Sequence, residues 1–267
     1  MKLLFLGDIY GDIGRNAVID KIATIKQKHE IDFTIANGEN AAQYGITPDQ
    51  AKELFEHGID CITTGNHAWS RREIIPFVEK EERLLRPVNY PEGTLGQGLF
   101  DGKDRQGRRI IVINVMGRIF MDPLDCPFRE MDKVLKPYVL GRNVDAVFVD
   151  VHAETSSEKG ALAHYLDGRV TAVVGTHTHV PTADSMILPK GTAFQTDAGM
   201  CGAYNGVIGA QPEGAIGRFL KQVKRPHLIP VDGEATICGV VVDVAEKGLA
   251  KTIYPIRIGG SLLQQQD

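Results

Sequence analysis

Eight polar side chains close short apolar runs along this chain: Asp8, Glu39, Asn40, Asn66, His67, His152, His177 and His179. Carboxylate oxygen and imidazole nitrogen suit Mn²⁺, iron and Zn²⁺. No cysteine stands among them, so a thiolate site is excluded, and the donors are too many for one tetrahedral zinc. They suffice for two ions joined by a carboxylate and a water. The two carboxylates neutralise half the charge of two divalent ions, which leaves room for a hydroxide and an anionic phosphate. Such a centre lowers the pKa of water to about 7 and clamps an in-line displacement at phosphorus. The surplus positive charge favours an anionic ester over a peptide or a sugar. His177 and His179 are two apart, and in an extended segment both face one side while Thr178 faces away. Gly175 allows the backbone to approach closely just before them.

These residues need elements that deliver them to one place. Apolar patterning predicts strands over residues 2–7, 32–37, 59–63, 109–116, 145–151 and 170–174, with further strands over 192–196, 236–244 and 251–258. The last two form a hairpin around Glu246-Lys247-Gly248. Helices are expected over 14–29, 48–57, 71–81, 128–139 and 156–166, the second opened by Pro48 and stopped by Gly58. Five strands are followed by a polar cluster: Asp8; Glu39 and Asn40; Asn66 and His67; His152; His177 and His179. In α/β folds functional groups gather at the carboxyl ends of strands, so one converging site is the economical reading.

Composition is that of a soluble globular protein rather than a disordered one. The 267 residues are 43% hydrophobic and 24% charged, which suits one globular domain over residues 1–267. A net charge of −4 argues against bulk nucleic-acid binding. Cys61, Cys126, Cys201 and Cys238 form no CxxC pair, so free thiols in a reducing compartment are expected. The first apolar run is cut short by Asp8, too soon for a leader or a membrane span. A cytoplasmic location without membrane association follows as an expectation.

Gly7-Asp8, Gly65-Asn66-His67, the separate His152 and Gly175-Thr176-His177-Thr178-His179 resemble the calcineurin-like metallophosphoesterase superfamily. Tyr10 stands where its first motif has histidine, and Asn37-Gly38-Glu39-Asn40 where its second has GDxxD. Both departures match the bacterial YmdB-like subgroup of 2′,3′-cyclic-nucleotide 2′-phosphodiesterases, as do Gly7–Arg15, Asn114–Met121, His152–Lys159 and Thr196–Met200. The resemblance covers nearly the whole chain and implies a four-layer αββα sandwich of two mixed β-sheets. It implies two metal ions, iron foremost with Mn or Zn as alternatives. Asp8, Asn40 and His179 would hold the first, Asn66, His152 and His177 the second, and Glu39 would bridge them. His67 would protonate the leaving oxygen, help worth about 10²–10⁴-fold. The substrates implied are 2′,3′-cyclic nucleotides, with 3′,5′-cyclic monophosphates as further candidates, and the assembly implied is a homo-oligomer. A phosphomonoesterase or nuclease on the same site, or a regulatory dimetal protein that binds ligand or RNA with little turnover, are the alternatives.

Other residues are less committed. Arg118 and Phe120 are candidates for holding phosphate or stacking a base, against packing and surface solvation. Glu154, Lys159 and Asp197 are candidates for supporting the ligands. Trp69 fits a pocket wall or a subunit contact. His29, His57, His164 and His227 read as ordinary helix or loop residues.

Overall fold

The computed structural model describes residues 1–220 and 228–264; His227 therefore lies outside the described residues. Its strands are β1 (Lys2–Leu6), β2 (Asp8–Ile9), β3 (Phe33–Asn37), β4 (Cys61–Thr63), β5 (Leu84–Leu85), β6 (Leu99–Lys103) and β7 (Arg109–Met116). Then come β8 (Ala146–His152), β9 (Ala172–Thr176), β10 (Met186–Ile187), β11 (Ala193–Gln195), β12 (Met200–Ala203), β13 (Ala235–Val244) and β14 (Ala250–Ile258). The helices are α1 (Gly11–His29), α2 (Pro48–Glu56), α3 (Ile75–Val78), α4 (Pro127–Leu135), α5 (Ser156–Leu166) and α6 (Pro212–Leu220).

The strands build two mixed sheets. The first runs β2-β12-β13-β1-β3-β4-β5, with β14 also on β13; the second runs β10-β11-β9-β8-β7-β6. In the first, β1, β3, β4 and β5 are parallel and β13 is antiparallel to β1. In the second, β7, β8, β9 and β11 are parallel, edged by antiparallel β6 and β10.

Strand alternation divides the apolar residues among three layers. Leu4 and Leu6 of β1 face α1 and α2, meeting Val18, Ile22 and Leu54. Leu3 and Phe5 face the second sheet, where the Phe5 ring lies 4.9 Å from that of Phe148. Val147 and Val149 of β8 face outward to Met131 of α4 and Leu162 of α5. Helices, sheet, sheet, helices: this is the expected four-layer sandwich.

Local signals explain several boundaries. Thr47 and Gln50 form a reciprocal capping box at the start of α2, with Pro48 in its first turn. Helix α1 begins at Gly11, three residues before the expected start, because the Gly11 N–H is tied to the Asn40 carbonyl and Tyr10 caps in extended conformation. The helix expected over 71–81 is instead a 3₁₀ turn at Arg72–Ile74 followed by the four-residue α3. Pro76 lacks an N–H, so it suits a first turn and interrupts a longer helix. Likewise α4 ends at Leu135, since Pro137 blocks continuation. The β13–β14 hairpin turns through Glu246–Gly248, with Lys247 at φ +70°. Strands β6 and β12 and helix α6 add to the expected elements. All four cysteines are free thiols, and no helix among the described residues is long and apolar enough to cross a membrane.

Candidate metal centre

The space between the sheets changes character along the strands. Ile35, Cys61, Val112, Phe148 and Val174 belong to its apolar part. Two residues further on, the same strand faces carry Asn37, Thr63, Asn114, Asp150 and Thr176, all fully buried. The predicted site residues lie immediately beyond this polar belt.

Glu39 is central. Its Oε1 is 3.1 Å from His152 Nε2 and accepts from Asn40 Nδ2 at 3.0 Å, while its Oε2 accepts the His67 backbone N–H at 3.1 Å. His152 Nε2 is 2.9 Å from Asn66 Oδ1 and 3.1 Å from His177 Nδ1. Ligand atoms of Glu39, His152 and His177 all lie within 4.8 Å of one another. On the other side, Asp8 Oδ2 accepts the His177 N–H, and Asp8 Oδ1 lies 3.8 Å from His179 Nε2. That Oδ1 is buried without a hydrogen-bond partner. An orphaned carboxylate oxygen beside an imidazole nitrogen is the environment a cation would satisfy. Gly65 passes so close that a Cβ there would sit 2.2 Å from the His152 ring and 2.5 Å from Glu39 Oε2. The donor set, all oxygen and nitrogen, fits Mn, iron or zinc. The structure thus brings the seven predicted ligands together in two groups that share Glu39. Asn40 presents its amide nitrogen to His179 Nε2, at 3.2 Å, where a cation would need the amide oxygen.

Hydrogen bonds select which nitrogen each imidazole offers. His179 Nδ1 pairs with the Ile208 carbonyl, leaving Nε2 toward Asp8 and Asn40. His177 Nε2 is 3.0 Å from Glu154 Oε2, leaving Nδ1 toward His152. Burial and the charge of His152 push His177 down to about 3, so it is neutral and donates this hydrogen bond to Glu154. Burial disfavours charge on Glu39 and on His152, yet the pair overrides it: the carboxyl is held down at about 2 and the imidazole up at about 9. Burial raises Asp8 to about 6 against the pull of His179 and His152.

His177 and His179 do face the same group, but not by strand alternation. Strand β9 ends at Thr176, and the two histidines adopt left-handed φ values of +96° and +65°. Such conformations cost about 1–3 kcal/mol each and need external support. Thr178, between them, turns away as expected: its N–H and hydroxyl both donate to Asp197 Oδ2. Asp197 is fully buried and paired with the buried Lys159 at 2.7 Å. Lys159, Asp197 and Glu154 thus all bear on this turn.

A cavity of about 320 Å³ opens over the group, walled by Tyr10, Tyr44, His67, Ile208, Arg218 and Leu228. His67 is half-buried, its Nδ1 on Ser70 Oγ at 3.1 Å and its ring 5.0 Å from that of Tyr44. Burial lowers its pKa below the usual value against the opposing pull of Glu39, with His152 and His179 adding to the lowering. Tyr10 stands edge-on to His179 at 5.4 Å, and burial pushes its phenol up to about 12, so it stays neutral. Arg118 and Phe120 do not line this cavity: Phe120 is 87% exposed, and Arg118 borders a separate cleft with Met121 and Phe128. Trp69 packs against the first-sheet core and Tyr90. His29 pairs with Tyr254, His57 with the Glu53 carbonyl, and His164 lies on the surface of α5. Sequence reading gives no role to Asn37, Asp150 and Thr176 in the polar belt. A carboxylate inside the apolar run Ala146–Val151 is the available signal.

A family model for YmdB-like proteins matches residues 4–256. The 2′,3′-cyclic-nucleotide 2′-phosphodiesterase of Bacillus subtilis (strain 168) is 44% identical over 248 residues, 92% of each chain. A putative phosphatase/phosphodiesterase of Mycoplasma pneumoniae is 39% identical over 94% of this chain and 91% of its own. Among solved structures, a hypothetical protein from Thermus thermophilus superposes with a TM-score of 0.89 at 43% identity, covering 98% of this chain and 100% of the other. With a family model and relatives that match almost the whole chain, this protein belongs to the YmdB-like family.

Proposed function

We propose that this protein is a dimetal phosphodiesterase that hydrolyses 2′,3′-cyclic nucleotides, with 3′,5′-cyclic monophosphates as further substrates. The observation that carries the reading is the convergence of Glu39 with two donor groups, one ending in the orphaned Asp8 oxygen. Asp8, Asn40 and His179 would hold one cation, Asn66, His152 and His177 the other, with Glu39 shared. Such a pair of ions supplies an activated water and neutralises charge on the phosphoryl oxygens. The relatives named phosphodiesterase and phosphatase/phosphodiesterase support an ester hydrolase of this kind.

The remaining steps belong to the chain. Tyr44, Ile208 and Leu228 give the cavity an apolar wall, and its volume of about 320 Å³ suits a single nucleotide better than a polymer. Arg218 adds a positive charge to the same wall. His67 has Nδ1 engaged by Ser70, so Nε2 is the ring nitrogen that remains to give a proton to the departing ribose oxygen. The negative charge of a phosphodiester favours the protonated form of that imidazole.

The test is turnover of bis-p-nitrophenyl phosphate, p-nitrophenyl phosphate and 2′,3′-cyclic AMP by metal-quantified protein, with Glu39→Ala alongside. Preference for the diester and the cyclic nucleotide, lost in the variant together with its metal, is expected. No turnover with Mn²⁺ or Fe²⁺ fully loaded would instead favour a binding protein.

A further inference from the structure

Behind the donors, the buried carboxylate of Asp150 ties the two sheets together. Its Oδ2 accepts from the Thr63 hydroxyl and from Asn37 Nδ2 at 2.9 Å, both on the first sheet. Its Oδ1 accepts from Thr176 Oγ1 at 2.7 Å, on the neighbouring strand of its own sheet. The register explains the reach: Thr176 lies opposite His152 in the β8–β9 ladder, and Asp150 is two residues before His152 on the same face.

Proton accounting then fixes the direction of the next bond. A threonine hydroxyl has a single proton, and the Thr176 hydroxyl gives it to Asp150 Oδ1. Thr176 Oγ1 lies 2.9 Å from His152 Nδ1, and with its proton already committed it accepts here. His152 must therefore carry a proton on Nδ1 and turn Nε2 toward Glu39, Asn66 and His177. The same hub reaches Glu39: Asn37 donates to Asp150 through Nδ2, and its Oδ1 accepts the Glu39 N–H at 3.1 Å.

We propose that Asp150 and Thr176 are positioning residues that hold the Nδ1–H and the orientation of His152, so that Nε2 is the nitrogen free to bind, and so set the affinity of the site for its second cation. The inference rests on the reading of His152 as a ligand. Hydroxyl and carboxylate partners of a ligating imidazole are worth about 10–100-fold in metal affinity.

Thr176→Val keeps the shape and removes the acceptor; Thr176→Ser restores it. Zn²⁺ dissociation constants would be measured by chelator competition on protein checked by circular dichroism, with His152→Ala as the control. The valine variant should bind the second ion about 10–100-fold more weakly and the serine variant within about threefold of wild type. A valine variant that binds as tightly as wild type overturns the proposal. If it does not fold, ring ¹⁵N spectra of the Zn²⁺-loaded wild type decide: a proton on Nδ1 of His152 is expected, and one on Nε2 overturns it. His152→Ala that still holds two ions sinks the ligand reading itself, a result distinct from a silent Thr176→Val.

Discussion

Gly65→Ala adds one methyl group at the narrowest point of the site. The new Cβ would lie 2.2 and 2.3 Å from the His152 ring and 2.5 Å from Glu39 Oε2. Ordinary van der Waals contact begins near 3.4 Å, so His152 or Glu39 must move by about 1 Å. Neither has room: both are buried, and His152 is engaged at both ring nitrogens. Gly65 is not among the residues with positive φ, so alanine meets no backbone penalty there and the effect is confined to the clash. Overpacking of this kind costs about 1–3 kcal/mol in stability. A displacement of about 1 Å in a reacting group costs about 10²-fold in rate. The expected result is a folded protein with lower metal content and bis-p-nitrophenyl phosphate turnover reduced about 100-fold. Metal analysis, thermal melting and steady-state rates would be measured on one preparation. An alanine variant with two ions per chain and near wild-type turnover would refute the close packing of Gly65, His152 and Glu39.

His67→Ala should keep its metals and lose about 10²–10⁴-fold on 2′,3′-cyclic AMP, but far less on bis-p-nitrophenyl phosphate, whose phenolate leaves without a proton; equal losses on both would argue against proton donation. Lys159→Met strands the Asp197 carboxylate and should destabilise the fold by about 3–5 kcal/mol in urea unfolding. A change below about 1 kcal/mol would mean the pair is solvated. Chelation should lower the melting temperature, because an ion at about 100 times its dissociation constant contributes about 2.7 kcal/mol. Identical melting curves with and without Mn²⁺ would count against a bound cation in the native fold.

Much of the site is legible in the sequence because its donors share one habit: each stands where an apolar strand runs out. Asp8, Glu39, Asn66, His152 and His177 need only strand periodicity to be found. What escapes depends on partners far away in sequence. Asp150 gains meaning from Thr63, Asn37 and Thr176, and no local pattern announces three donors on two sheets. The left-handed turn at His177 and His179 is likewise imposed from outside, by Asp197, Lys159 and the Ile208 carbonyl. A spacing of two residues gives the right facing for the wrong reason. Arg118 and Phe120 have the right chemistry but sit away from the cavity, because the Arg118 and Ile119 N–H groups are bound by Glu158 of α5.

The two donor groups have a consequence for assembly. Asp8, Glu39, Asn40 and Asn66 come from the first sheet and the loops that leave it, while His152, His177 and His179 come from the second. A cation held by Asn66, Glu39, His152 and His177, as proposed, would be a rivet through two layers that the chain makes more than eighty residues apart. It would be set only after those layers have met, and once set it would resist their sliding or parting. Metal uptake would then act as the last checkpoint of folding: a chain whose halves had docked in the wrong register would lack the site as well as the shape.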